Sequence, residues 1–379
     1  MTPPPTAPTA PHDTLRTWTP QWSPDHTDPQ LPPITLITDP HDQAARTTTA
    51  LAAHRPDLGR IAVHPTPLAT APAYLAHDLI RALGKHLPPP DTDPPWWTSN
   101  ADESWRIAVA WTQALGISHY IVCRAHRITS RHLEHLMALR EHTRIRLTLI
   151  ASGPTPAALT DILNSVDHHR LDTLEAAHHH LNTASDSTPP PAHRYPWWQS
   201  APFPIPDDEP WYQLPPSPRR PAGQPDDTTQ HPRGTPTRLP SQDNPPPATA
   251  LTPADHDVVA QRIHTRIAHP VHAAAVAVRA LMGYSTDQLP QLTIPTPYRP
   301  RADLPADLPE WARLLQHAAR LHTDLQHHAR TDLPAHLRGD DKAFRLPPWE
   351  KPEVAHATET CRLLAAPARR PHTPTRKRR

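Results

Sequence analysis

The sequence predicts an α/β fold: a parallel sheet with helices on both faces, followed by a proline-rich linker and a small α-helical domain. Three observations carry this prediction. Strand-like and helix-like segments alternate between residues 31 and 187. The strands among them are nearly continuous apolar runs, as expected of strands covered on both faces. The prolines also segregate: residues 1–40 hold eleven, residues 188–250 hold nineteen, and residues 97–187 hold two. Proline removes a backbone donor and fixes φ, so regular structure concentrates where it is scarce.

The elements follow in order. Ile34–Thr38 is a short β-branched strand stopped by Asp39-Pro40. Ala44 to His54 is compatible with a helix. Arg60–His64 is a second strand, closed by Pro65. From Ala73 to Leu83 apolar residues recur at helical spacing (Leu75, Leu79, Ile80, Leu83), and Gly84 supplies a C-cap. Trp105 to Leu115 repeats the pattern and ends at Gly116. His119–Cys123 reads as a strand buried on both faces. The helix Ser130–Arg140 carries Leu133, Leu136, Met137 and Leu139 toward the core. Arg144 to Ile150 alternates apolar and polar residues, which predicts a more edge-like strand. In the second block, Thr252-Pro253-Ala254-Asp255 opens a helix. Val271–Met282 forms another, ending at Gly283, and Trp311–His327 a third.

Composition excludes several classes. The 379 residues include 56 prolines, roughly three times the usual share, but only eight glycines. Collagen needs glycine at every third position, and no apolar run reaches the roughly 18 residues of a membrane span. No basic start followed by an apolar stretch marks a secretory signal. Two cysteines, Cys123 and Cys361, are too few for a disulfide framework, so a reducing cytoplasm is the expectation. The proline distribution divides the chain into five parts. These are a disordered arm (1–30), the α/β domain (31–187), the linker (188–250), a small helical domain (251–345) and a disordered tail with a basic end (346–379).

Three segments of the first block resemble the core of the AAA+ ATPases, within the P-loop NTPase fold. They are "PPITLITDPHDQAARTTTALAAH", "RIAVHPTPLATAPAYLAHDLIRALG" and "HYIVCRAHRITSRHLEHLMALREHTRIRLTLIASG". The likeness is to the transposition-helper and origin-recognition-like branch. The first segment matches that family's strand, phosphate loop and helix. The third matches its strand ending in Asp-Glu-Ala-His-Arg-Leu, with the following helix and strand. The resemblance spans roughly residues 31–165. It implies a nucleotide-binding scaffold, with ATP and Mg²⁺ as the cofactors of an intact member.

Both nucleotide motifs depart from the pattern. A phosphate loop turns successive backbone N–H groups toward the phosphates through its glycines, helped by a lysine and a helix N-terminus. Residues 39–47 have no glycine, contain Asp39 and Asp42, and include Pro40, which has no N–H. By position, Arg46 stands for the lysine, and Thr47 and Thr48 for the hydroxyl end of the loop. At the second motif, Cys123 and Arg124 occupy the positions of the magnesium carboxylate and the catalytic glutamate. A thiol does not organise Mg²⁺, and an arginine cannot serve as a general base. No catalytic set is expected, and no metal site.

Cys123, His126, His132 and His135 have a superficial zinc spacing, but a strand and a helix separate them. His168-His169 and His178–His180 read as solvated helix faces. Tyr195-Pro196-Trp197-Trp198 and Pro210-Trp211-Tyr212, among prolines, read as segments docked on the protein's own surface. Arg369, Arg370, Arg376, Lys377, Arg378 and Arg379 form a basic terminal cluster of the kind that contacts phosphates without sequence specificity. The leading expectation is a non-hydrolysing ATPase-like scaffold or regulator with a protein partner such as an active ATPase relative, with DNA as a further candidate partner and no membrane contact. The alternatives are an ATP-binding switch using Arg46, and a nucleic-acid-binding protein acting through the helical domain and the tail.

Overall fold

The computed structural model describes residues 31–88, 94–182, 208–217, 247–292, 308–328 and 350–365. These fall into two compact units. The first lies within Met1–Gln199 and His317–Arg338, the second within Ser200–Gln316 and Gly339–Arg379.

The first unit is α/β. Its strands are β1 (Ile34–Asp39), β2 (Arg60–Val63), β3 (His119–Val122), β4 (Arg146–Ser152) and β5 (His168–Leu171). They form one wholly parallel sheet in the order β2-β3-β4-β1-β5. The helices are α1 (Ala44–Ala52), α2 (Pro72–Ala82), the short α3 (Trp96–Ser99), α4 (Ala101–Ala114), α5 (Ser130–Thr143), α6 (Ala157–Ser165) and α7 (Leu174–Asn182).

Side chains alternate across a strand, which assigns the helices to faces. Ile121 and Cys123 pack with Ile37, Ile150, Ala50, Ala53, Ala177 and Leu181, so α1 and α7 cover that face. Tyr120 points the other way, and its hydroxyl lies 2.8 Å from Thr112 Oγ1 on α4. There α2, α4, α5 and α6 pack in sequence. Burial is complete along β1, β2 and β3, which accounts for their nearly continuous apolar runs.

The structure corrects two expectations in this unit. First, β4 lies between β3 and β1, not at an edge. Its alternating polar residue Thr148 is buried and bonded to His119 and His180, so polarity there marks an internal network. Second, His168-His169 are not on a helix. They belong to β5, an edge strand paired only with β1 and largely solvated.

In the second unit, strands β6 (Trp211–Gln213), β7 (Ala248–Ala250) and β8 (Leu363–Leu364) form a small parallel sheet with β6 in the middle. Helices α8 (His256–Arg266) and α9 (Pro270–Met282) follow β7. Helix α10 spans Glu310–His328, and the division between the units falls within it. Helix α11 spans Lys351–Thr360 and packs on α9.

Two segments expected to be irregular therefore hold structure. Residues 211–213 and 248–250 of the linker are strands, and residues 350–365 of the tail hold α11 and β8. The cause is visible around β6. Tyr212 is buried, and the Arg262 guanidinium stacks over its ring at 5.0 Å. Glu209 bridges Arg262 at 3.1 Å and Arg266 at 2.7 Å, while Arg262 also donates to the carbonyl of Pro210. A three-residue strand flanked by prolines is tolerated because its prolines fall outside the ladder. The arm (1–30), Tyr195–Trp198 and the basic cluster Arg369–Arg379 lie outside the described residues.

Candidate functional site

The strand order places β4 between β1 and β3, so the three segments singled out in the sequence end side by side at the carboxyl edge of the sheet. The chain leaves β1 toward the α1 face and leaves β4 toward α6, which packs on α5. The gap between β1 and β4 is thus a topological switch point, where open parallel sheets bind ligands.

The gap is lined by charged groups that contact one another. Asp39 ends β1, and its backbone carbonyl accepts from Asp42 N at 3.2 Å, closing a tight loop before α1. Asp42 has φ +48°, in the left-handed region where aspartate is more tolerated than most residues. Its carboxylate accepts from Ser152 Oγ at 2.9 Å and lies 3.9 Å from the Arg124 guanidinium. Arg124 also has a left-handed backbone, φ +52°, and begins the single turn Ala125–Arg127. Within that turn, His126 Nδ1 accepts from the backbone N–H of Ser152 at 3.0 Å. Burial, together with Arg127 and Arg124 beside it, pushes the His126 imidazole below its ordinary value, against an opposing pull from Asp42.

Beneath this surface layer lies Arg46. Its guanidinium is buried, 3.7 Å from the Asp39 carboxylate, and donates to the Asp172 carbonyl at 2.9 Å. The Asp172 carboxylate accepts from Thr38 Oγ1 and from Arg170, and these bonds hold it below the usual carboxylate range. Thr47 is half-buried on α1, and the Thr48 hydroxyl bonds back to the Ala44 carbonyl of its own helix at 2.9 Å. Helix α1 carries no acidic residue in its first turn, no basic residue in its last turn and no side-chain N-cap. Cys123 is buried against the α1 and α7 face, and burial pushes its thiol up to about 11. A protonated buried thiol is neither a nucleophile nor a hard-metal ligand.

The structure thus brings Arg46 and Arg124 to one edge, each beside an aspartate. It separates the histidines of the superficial zinc spacing. His132 closes the α5 capping box with Thr129, and its Nε2 meets the Ala71 carbonyl at 3.0 Å. His135 stacks on Trp105 at 5.1 Å. Sequence reasoning missed Ser152 and Asp172. A polar residue just past an apolar strand is the signal that could have found them, since strand ends meet at this edge.

No protein-family model, curated protein or solved structure matches the chain.

Proposed function

We propose that the α/β unit is an AAA+-like, P-loop-type scaffold that does not hydrolyse ATP, and that the protein works as a scaffold or regulator bound to a protein partner in the cytoplasm. The observation that carries this reading is the engagement of Arg46. Its guanidinium is directed to Asp39 and the Asp172 carbonyl, so it is not presented to an incoming phosphate. Three further features support it. The loop after β1 offers carboxylates where a phosphate needs donors. The buried Cys123 and the Asp42-paired Arg124 supply neither a hard oxygen ligand nor a base. A magnesium nucleotide therefore does not fit the residues of the crevice. No helix among the described residues is long and apolar enough to cross a membrane.

Phosphate release from Mg·ATP by the full chain tests the reading. The expected result is no release above the buffer rate. Turnover that disappears in Arg46→Ala would overturn it.

A further inference from the structure

The β2–β3 side of the carboxyl edge carries a second surface, outside the gap between β1 and β4. Two segments run side by side there: residues 64–74 lead from β2 into α2, and residues 124–132 lead from β3 into α5. β2 and β3 are neighbours, and the Cys123 N–H reaches the Val63 carbonyl at 2.9 Å. Burial and then Arg124 lower the His64 imidazole, which puts Arg124 within its electrostatic reach. At the far end His132 Nε2 meets the Ala71 carbonyl at 3.0 Å. Leu68 and Arg127 lie between these two points, one on each segment.

The donors on this surface face one another. His126 Nδ1 accepts from the Ser152 N–H at 3.0 Å. Burial, then Arg127, lower this imidazole, so near pH 7 the ring is neutral and carries its proton on Nε2. Arg127 Nε lies 3.3 Å from that nitrogen. Two N–H groups therefore confront each other at the surface, where Arg127 is exposed and His126 half-buried. Among the described residues no carboxylate is paired with Arg127. The acids nearby are engaged elsewhere. Asp42 accepts from Ser152 and lies 3.9 Å from Arg124, Glu134 is 3.3 Å from Arg131, and Asp78 holds the turn at Thr66. Apolar groups stand beside the cations: Leu68 is 99% exposed with φ +61°, and Tyr74 is 48% exposed. A leucine in the left-handed region costs backbone energy, and one so exposed buries nothing within the chain in return.

We infer that this surface docks an acidic segment of a protein partner, with a carboxylate accepting from His126 Nε2 and Arg127 Nε and an apolar side chain covering Leu68. The inference rests on the scaffold reading, in which the protein works through a protein partner. A carboxylate oxygen set against the two N–H groups replaces a donor–donor clash with two charge-assisted hydrogen bonds. Arg124 adds a complementary field. A nucleic-acid duplex fits less well, because it presents a continuous row of phosphates that Asp42 repels and Leu68 does not match.

The test is fluorescence anisotropy of a labelled peptide of Glu-Glu-Leu repeats, titrated with the full chain near pH 7 in low salt. Saturable binding is expected, about tenfold weaker in Arg127→Gln and in Leu68→Asn. Leu68→Asn relieves the backbone, so its weaker binding does not report a loss of folding. The same peptide with glutamine in place of glutamate should not bind. No saturable binding, or an affinity unchanged in either variant, would overturn the proposal and leave the scaffold reading standing. A duplex DNA fragment that binds more tightly than the peptide, and loses affinity in Arg127→Gln, would assign the surface to phosphates and overturn it as well. Displacement of the peptide by millimolar Mg·ATP would overturn both readings.

Discussion

The Arg46 guanidinium lies 3.7 Å from the Asp39 carboxylate, and both residues are buried at the carboxyl end of β1. Arg46 is thereby an internal counter-ion to Asp39. Removing either member leaves the other charge buried and alone, which costs about 3–5 kcal/mol. Asp39→Ala and Arg46→Ala are each expected to lose about that much in urea denaturation. The Asp39→Leu, Arg46→Met double variant should lose far less than the sum. Single variants within about 0.5 kcal/mol of wild type would show that the pair is not a structural unit.

Acid should weaken the first unit through its buried histidines. Burial pushes His77 down to about 4, and His119 and His135 down to about 3. The unfolded chain takes up these protons near pH 6.5 and the folded chain does not. Stability is therefore fully present above that value and falls as pH drops from about 6.5 toward 4. Each histidine contributes a slope of about 1.4 kcal/mol per pH unit inside that window. His135→Phe keeps the stack on Trp105 and removes one titrating group, so its loss between pH 6 and 5 should be smaller by about that amount. Urea midpoints at pH 7, 6 and 5 measure it, and an unchanged slope in the variant would contradict the assignment.

Gly283 ends α9 with φ +71° and lies against the backbone of Pro215. A Cβ built there would stand 2.4 Å from the Pro215 carbonyl oxygen, and Ser217 Oγ bonds the Gly283 carbonyl at 2.8 Å. Gly283→Ala must therefore shift the segment that follows β6. A loss of about 2 kcal/mol or more is expected, from left-handed strain plus the clash. The melting temperature of the variant is the readout. A change of less than about 1 °C would mean the segment moves freely.

Leu68 is 99% exposed and has φ +61°. It follows Pro67 in the turn closed by the Ala69 N–H to the Thr66 carbonyl, at the position where glycine or asparagine is favoured. Asp78 holds the turn by accepting from Thr66 N at 2.6 Å and Thr66 Oγ1 at 2.7 Å. Leu68→Asn should relieve the backbone and raise stability by about 0.5–1 kcal/mol in chemical denaturation. Destabilisation would instead mean the leucine side chain supports the fold.

Legibility in the sequence followed burial. Strands β1, β2 and β3 and helices α2 and α4 announced themselves because both strand faces, or one helix stripe, are apolar. β5 did not, because His168-His169-Arg170-Leu171 sits at an edge and its faces are mostly solvated. β4 was misplaced for the opposite reason: Thr148 is polar yet buried, satisfied by two histidines from distant parts of the chain. β6 was hidden among prolines, where only its aromatic pair hinted at packing. At the crevice, Arg46, Cys123 and Arg124 were visible by position. Their partners were not: Asp172 lies 126 positions from Arg46, and Ser152 lies 110 from Asp42. Asp39 was read as an acid that repels phosphate, and its ion pair with Arg46 shows a second role that spacing does not reveal.

The most direct test of the central claim is isothermal titration of Mg·ATP into the full chain, with Arg46→Gln alongside. The account predicts no heat of binding at the crevice up to millimolar ATP, because Arg46 is held by Asp39 and the Asp172 carbonyl. Micromolar binding that is lost in Arg46→Gln would contradict the account and make the protein a nucleotide switch.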